Sequence, residues 1–411
     1  MTAQSHFQDV PQGAPDKILN LVVEYKACTE PNKINVSIGA FRDDSGNPVV
    51  LDVVREAEKD LVEAKPFFEY SPIDGTPAFQ KLSAELLFGL ECPLMKAGRL
   101  VSMQSVAGSG ALAVGFQFIR QYLYGRHIYT STPTWPNHIA MLETRFPAEM
   151  LKKYRYFDQS TALLDFEGMM EDLRNAEEGS VVLLQPICHN PTGVDPTREQ
   201  WKEICELCVQ KNFIVFQDCA YQGFGSGDLD EDAWAIRHFA KRSAETGLEM
   251  ICSYSFSKNM GLYGQRIGAL HVACSKTDVV EPVRSQLKRI VRTMYSSPPV
   301  QGERIVVNVL SDEKKYKDWK IQLAQMTERI LHTRKALYDG LIANGTPGSW
   351  EHVIKQCGMF SYTGLTAEQS AKMKNERFVF LTGDGRISIA GINPSNVNYM
   401  ADSIKAVVSE N

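Results

Sequence analysis

The chain has 411 residues, room for two domains at about 100–200 residues each, and its 44% hydrophobic and 23% charged content matches an ordinary globular protein rather than a disordered or fibrous one. A formal net charge of -5 gives no global attraction to polyanions, and no apolar run reaches the roughly 18 residues of a membrane helix, so neither nucleic acid nor a membrane is an expected partner. Nine cysteines, an odd number spread from Cys28 to Cys357, do not resemble the disulfide framework of a small secreted domain and read as reduced thiols.

Along the chain, the first stretch, MTAQSHFQDVPQGAPDKIL, has no basic segment followed by an apolar one and no arginine bias, which makes a cytosolic location the expectation. Ser105–Gly115 reads SVAGSGALAVG and leads into the apolar helix pattern FQFIRQYLYG. A short apolar run, Arg126–Thr130, precedes STPTWPNH with Trp135 and His138. Strand candidates follow at Ser180–Gln185, Ile214–Asp218, Met250–Tyr254 and Leu270–Ala273. Between the first two, Thr197–Asn212 carries Trp201, Ile204, Leu207 and Cys208 at helical spacing. Cys205 and Cys208 form a CxxC there, but with no second ligand pair nearby they read as core residues rather than a zinc or redox site. Strands alternating with helices argue for parallel strands joined by crossover helices.

From Lys315 to Ala343, Trp319, Leu323, Met326, Ile330, Leu337 and Leu341 recur at helical steps, predicting a helix of ~40 Å. Short strands at Phe378–Leu381 and Ile387–Ala390 and a helix at Asn396–Val408 close the chain. The expected division is a large domain over residues 46–320 and a smaller α+β domain from 1–45 and 321–411, joined by the long helix. The fold class expected is α/β, a mostly parallel sheet flanked by helices in the large domain.

Four stretches carry chemistry. In YSFSKNMGLYGQRIG, Tyr254–Gly268, Lys258 sits just past a predicted strand, where a partly desolvated amine can attack an aldehyde. The hydroxyls of Ser255 and Ser257 and the guanidinium of Arg266 offer a seat for phosphate. In the Gly-Ser-Gly turn, Gly108 and Ser109 let backbone approach an anion at a helix start. QPICHNPTGVDP at Gln185–Pro196 and IVFQDCAYQG at Ile214–Gly223 begin at strand carboxyl ends, where open α/β sheets place ligands. Asp218 suits a protonated ring nitrogen, Asn190 and Tyr221 a ring oxygen, and Trp135 the flat face, with His138 near it to orient charge. Taken singly, each has a plain structural reading: a solvated lysine, a structural turn, a capping aspartate, a core tryptophan.

Together, and in this order and spacing, the four stretches resemble the aspartate aminotransferase family. The resemblance extends to SIGAFRDDSGNP at Ser37–Pro48, FEYSPIDGTPAFQ at Phe68–Gln80, MYSSPP at Met294–Pro299 and DGRISIAGIN at Asp384–Asn393. It implies a fold-type-I pyridoxal-phosphate enzyme, a homodimer with shared active sites, acting on amino acids and 2-oxo acids. The lysine matching Lys258 then holds the cofactor and shuttles the proton, with Asp218, Tyr221 and Trp135 completing the catalytic set. Gly108, Ser109, Ser255 and Arg266 match phosphate positions, and Tyr70 resembles the tyrosine that reaches a neighbour's phosphate. For substrate, Gly39 and Arg386 match the α-carboxylate grip, Trp135 and Asn190 border it, and Arg292 resembles the arginine lent by the other subunit to the distal carboxylate. On local sequence alone, Lys288, Arg289 and Arg292 read equally as a solvated helix face. No metal is implied.

The sequence departs from the pattern at Phe41, where many members have tyrosine, at Ser109, where many have threonine, and at Gln185, where histidine is frequent. Aromatic aminotransferases of the same subgroup keep the arginine pair, so a side activity on aromatic amino acids belongs to the expectation. Two other readings compete: a binding protein that kept the fold, and a pyridoxal-phosphate lyase or decarboxylase. Intact Lys258, Asp218, Tyr221 and Arg386 speak against the first. Against the second, Arg386 fixes the carboxylate away from the bond-breaking position.

Overall fold

A computed structural model describes residues 5–14, 16–44 and 46–409, so the first four residues of the amino-terminal stretch and the outermost ends of the expected small domain lie outside the described residues. Its centre is a sheet of β1 (Leu100–Val106), β2 (Ile128–Thr132), β3 (Leu151–Arg155), β4 (Val181–Leu184), β5 (Ile214–Cys219), β6 (Met250–Ser255) and β7 (Ile267–Ala273). The strands lie in the order β1-β7-β6-β5-β4-β2-β3. Every residue of β4, β5, β6 and β7 is buried, as continuous apolar runs covered on both faces require. The fold is the α/β class read from the sequence.

The strand from Leu270 instead begins at Ile267, and β7 runs antiparallel to both β6 and β1. This corrects the expectation that it joins a parallel set. Its reversal brings the start of β7 to the edge where β1, β4, β5 and β6 end. Gly268 makes the crossing possible, because a Cβ there would stand 2.4 Å from the Tyr254 carbonyl oxygen and 2.6 Å from the Ala107 carbonyl carbon. The run predicted at Arg126–Thr130 pairs two residues later, as β2.

Four helices position the site. Helix α1 (Ala107–Tyr122) leaves β1 directly, and α2 (Arg198–Gln210) starts in a capping box between Thr197 and Gln200. Cys205 and Cys208 are buried along α2, in the core reading given them above. Helix α3 (Val280–Met294) packs on α1, and α4 (Glu313–Ala343), 31 residues long, starts where Asp312 accepts the Lys315 N–H. The α4 stripe anchors to the sheet edge: Trp319 Nε1 donates to the Asn259 carbonyl at 2.7 Å, one residue past Lys258.

At the chain ends, Ile34–Asn35 pairs in parallel with Val379–Phe380. Phe360–Tyr362 pairs antiparallel with Arg386–Ser388, Tyr362 opposite Arg386. The strand expected at Ile387–Ala390 therefore ends early. Residues Ile389–Gly391 turn into a 3₁₀ segment, because the last apolar residues fold back under residues 35 and 36 instead of extending. Among the described residues no helix is long and apolar enough to cross a membrane.

Candidate active site

The carboxyl edge of the sheet opens into a cleft lined by Gly108, Ser109, Trp135, Asn190, Asp218, Tyr221, Ser255, Lys258 and Arg266, with Gln185 and Ser257 among them. These residues, all singled out from the sequence, thus meet at one place. Lys258 lies in the turn after β6, its Nζ 5.1 Å from the centre of the Tyr221 ring. Burial pulls its ammonium down to about 8; the charge of Asp218 opposes the fall and that of Arg266 adds to it.

Asp218, near the end of β5, is buried and fully engaged. It accepts from Ser253 on the neighbouring strand and faces His138 Nε2 at 3.0 Å, while His138 Nδ1 meets Thr134 Oγ1 at 2.9 Å. Such a chain fixes the carboxylate's direction. Trp135 stands edge-on to His138, ring centres 5.2 Å apart, Trp135 being the N-cap residue of the helix Pro136–Glu143 that follows β2 and His138 lying within it.

Asn190 is held by its own backbone. Gln185 Oε1 accepts the Asn190 N–H at 2.9 Å and Gln185 Nε2 donates to the Asn190 carbonyl at 3.0 Å, a two-point clasp. The Asn190 amide is thereby aimed: Nδ2 donates to the Tyr221 hydroxyl at 3.3 Å, and Oδ1 accepts from Arg386 Nη1 at 3.3 Å. Burial pushes the Tyr221 phenol well up, against the pull of the Arg386 charge.

On the opposite side Ala107, at φ 57, turns the chain from β1 into α1. A Cβ on Gly108 would stand 3.1 Å from Ser255 Cβ, so glycine leaves the backbone open beside the serines. Arg266 Nη2 donates to Ser109 Oγ at 3.0 Å from an exposed position. Free helix N–H groups, hydroxyls and a guanidinium make an anion seat.

Arg386 borders the cleft. Its side chain is 3% exposed, Nη2 donates to the Ser37 carbonyl at 2.7 Å, and its charge lies 4.5 Å over the Phe360 ring. Buried Nε has no partner, and no ion pair involves this side chain among the described residues. Burial lowers the guanidinium below its ordinary value. Gly39 packs on the same ring, where a Cβ would come within 2.4 Å of a Phe360 carbon.

Tyr70 and Arg292 do not join the cluster. Tyr70 is 84% exposed, and Arg292, in the last turn of α3, is exposed with Nη1 donating to Ser296 Oγ. Ser253 and Thr134 serve Asp218 yet were not singled out in the sequence. Ser253 is the direct cross-strand neighbour of Asp218, a relation set by register, which neither segment shows alone.

The sequence signature of the family described as Aminotransferase class I and II matches residues 31–404. The chain belongs to this family. The aminotransferase is 46% identical to a cytoplasmic aspartate aminotransferase of Dictyostelium discoideum, over 98% of this chain and 90% of that one. Among solved structures it is similar to the aspartate aminotransferase of Saccharomyces cerevisiae cytoplasm, with a TM-score of 0.95 and 37% identity over 98% of each chain. It also resembles an aromatic-amino-acid aminotransferase of Burkholderia pseudomallei covalently bound to pyridoxal phosphate. That likeness has a TM-score of 0.94 and 37% identity, covering 98% of this aminotransferase and 100% of the other chain.

Proposed function

We propose that this pyridoxal-phosphate-dependent aminotransferase moves an amino group between L-aspartate and 2-oxoglutarate, reversibly and by a ping-pong sequence, giving oxaloacetate and L-glutamate. The observation that carries the reading is Arg386, a buried guanidinium with an unpartnered Nε, beside Asn190 and Tyr221 at the rim of the lysine-bearing cleft. A buried cation that makes no ion pair among the described residues, the charge of Asp384 reaching it only from farther off, is costly unless an anion completes it, and an amino acid's α-carboxylate is such an anion. Aspartate alone, without any oxo acid, is expected to convert the cofactor's absorption to that of its amino form. No spectral change with aspartate or glutamate would refute the assignment.

The lining residues fit the cofactor: an open glycine backbone, two serine hydroxyls and Arg266 for its phosphate, and a fixed carboxylate at Asp218 for its ring nitrogen. Pyridoxal phosphate supplies an electron sink for the pair left when the substrate's Cα–H loses its proton. Lys258 would be the attachment point, and its amine, once free, would take that proton and return it. Asp218, held in line by Ser253 and His138, would keep the ring nitrogen protonated. Asn190 and Tyr221 would hydrogen-bond the ring oxygen, and Trp135 would cover the face. Gly39 and Arg386 hold the α-carboxylate, with Trp135 and Asn190 bordering the substrate. Since Arg386 serves any amino acid, a side activity on aromatic substrates belongs to the reading.

Because only the neutral amine attacks an aldehyde, loading of the apo-protein with pyridoxal phosphate is expected to accelerate as pH rises through about 8 and then level off. A rate that climbs unabated to 10.5, the ordinary lysine value, would contradict the lowered pKa.

The assembly we propose is a homodimer in which Tyr70 and Arg292 serve the other subunit's site. Support comes from their exposure and from Phe67 and Phe68, 87% and 91% exposed beside Tyr70, an apolar patch of the kind that marks an interface. Mixing an Arg292 variant with a Lys258 variant is then expected to restore one good site in each hybrid dimer. Verified subunit exchange without recovered activity would sink shared sites. We further propose the division into residues 46–320 and 1–45 with 321–411, and a cytosolic location, which the cytoplasmic relatives support.

A further inference from the structure

One polar cluster behind the cleft takes no part in this chemistry. Cys188, Asp195 and Cys357 each offer one ligand atom, and the three atoms lie within 4.8 Å of one another. Cys188 is buried, and Asp195 and Cys357 are partly exposed.

The cluster is held by backbone on every side. Asp195 accepts the N–H groups of Cys188 at 2.7 Å and His189 at 2.9 Å, and Cys357 Sγ donates to it at 3.0 Å. The two segments are stitched where Cys357 N–H donates to the Gly193 carbonyl at 2.7 Å. Cys188 Sγ lies flat on Gly358, where a Cβ would approach it to 2.7 Å. Arg334, wholly buried, fixes the second segment by donating to the carbonyls of Cys357 at 3.0 Å and Gly358 at 2.9 Å.

We propose that Cys188, Asp195 and Cys357 form a binding site for a thiophilic divalent cation of the zinc class, with a solvent water as fourth ligand. Two thiolates and a carboxylate are the donor set such an ion selects. With a Zn–S bond of about 2.3 Å, sulfurs in a tetrahedron stand roughly 3.8 Å apart, inside the 4.8 Å that bounds the three ligand atoms. A disulfide would demand an S–S distance of about 2.05 Å and would leave the Asp195 carboxylate with no cation to meet. Charge also balances. The two thiolates cancel the cation, and their two protons pass to solvent. The ion would tie the loop carrying Asn190 to the segment that places Phe360 beneath Arg386.

The test uses cofactor-loaded enzyme, reduced and free of oxygen, titrated with Co²⁺. Expected are thiolate-to-cobalt charge-transfer and visible d–d bands of a tetrahedral site, saturating at one ion per chain and bleached by Zn²⁺. Zn²⁺ alone should raise the melting temperature in a concentration-dependent way. Cys188→Ala and Cys357→Ala should each lose the bands and the shift, while Cys205→Ala, in the other cysteine pair, should keep both. Because either substitution in the cluster risks the fold, wild-type protein provides a second measurement. Zn²⁺ should shield two thiols from alkylation, mapped by peptide mass spectrometry to Cys188 and Cys357. Absence of cobalt–thiolate bands, bands that survive in both cluster variants, or protection at any other cysteines would overturn the proposal.

Discussion

Lys258→Ala is expected to lower turnover by more than the ~10²–10⁴-fold that an acid–base group alone contributes, because the same substitution removes the proposed attachment of the cofactor. The lysine's position makes both losses follow from one side chain. It stands in the turn after β6, 5.1 Å from the Tyr221 ring, and its amine is lowered to about 8 by burial. A proton carrier near the working pH moves protons in either direction, as a reversible reaction demands. The cofactor should still bind the variant, since Asp218 and the phosphate seat do not depend on Lys258. Borohydride reduction of the wild type followed by peptide mapping should find the label on Lys258. Label on another lysine, or a variant within tenfold of wild-type turnover, would refute the role.

Much of this is legible in the sequence. The buried strands β4, β5 and β6 announce themselves as continuous apolar runs, and the residues at their carboxyl ends are the ones that meet in the cleft. Strand direction is not written in such a run, which is why β7 was expected among parallel neighbours. Its reversal is what returns Arg266 to Ser109. Pairings across elements were equally hidden: Ser253 reaches Asp218 through register, and Gln185 clasps Asn190 across a turn. Arg386 lies 196 residues from Asn190, and only the fold of residues 360–388 under the loop 37–41 unites them. Tyr70 and Arg292 mark the other limit. Their local sequence reads as surface, and in a single chain they are surface; the roles proposed for them come from resemblance and from exposure.

Arg292→Asp is expected to collapse kcat/KM for aspartate and glutamate while sparing phenylalanine by comparison. A guanidinium meets a carboxylate through two parallel hydrogen bonds, and a water-excluding site strengthens them. Truncating one member of such a buried charge pair costs on the order of 2–5 kcal/mol, roughly 30- to several thousand-fold in specificity. Arg292 is exposed at the end of α3 and engaged by Ser296, with no carboxylate paired to it among the described residues, so its charge is available for the proposed distal contact. The new carboxylate should also improve the standing of lysine and arginine, whose cations it would meet. Arg386→Ala should behave otherwise. Its guanidinium is buried with a free Nε beside Asn190, and on the proposed α-carboxylate role all substrates should suffer together. The measurement is the ratio of aspartate to phenylalanine activity in the two variants. It should fall steeply for Arg292→Asp and stay near the wild-type value for Arg386→Ala. An unchanged ratio in the first variant would make Arg292 part of a solvated basic face with Lys288 and Arg289, and the dicarboxylate preference would need another source.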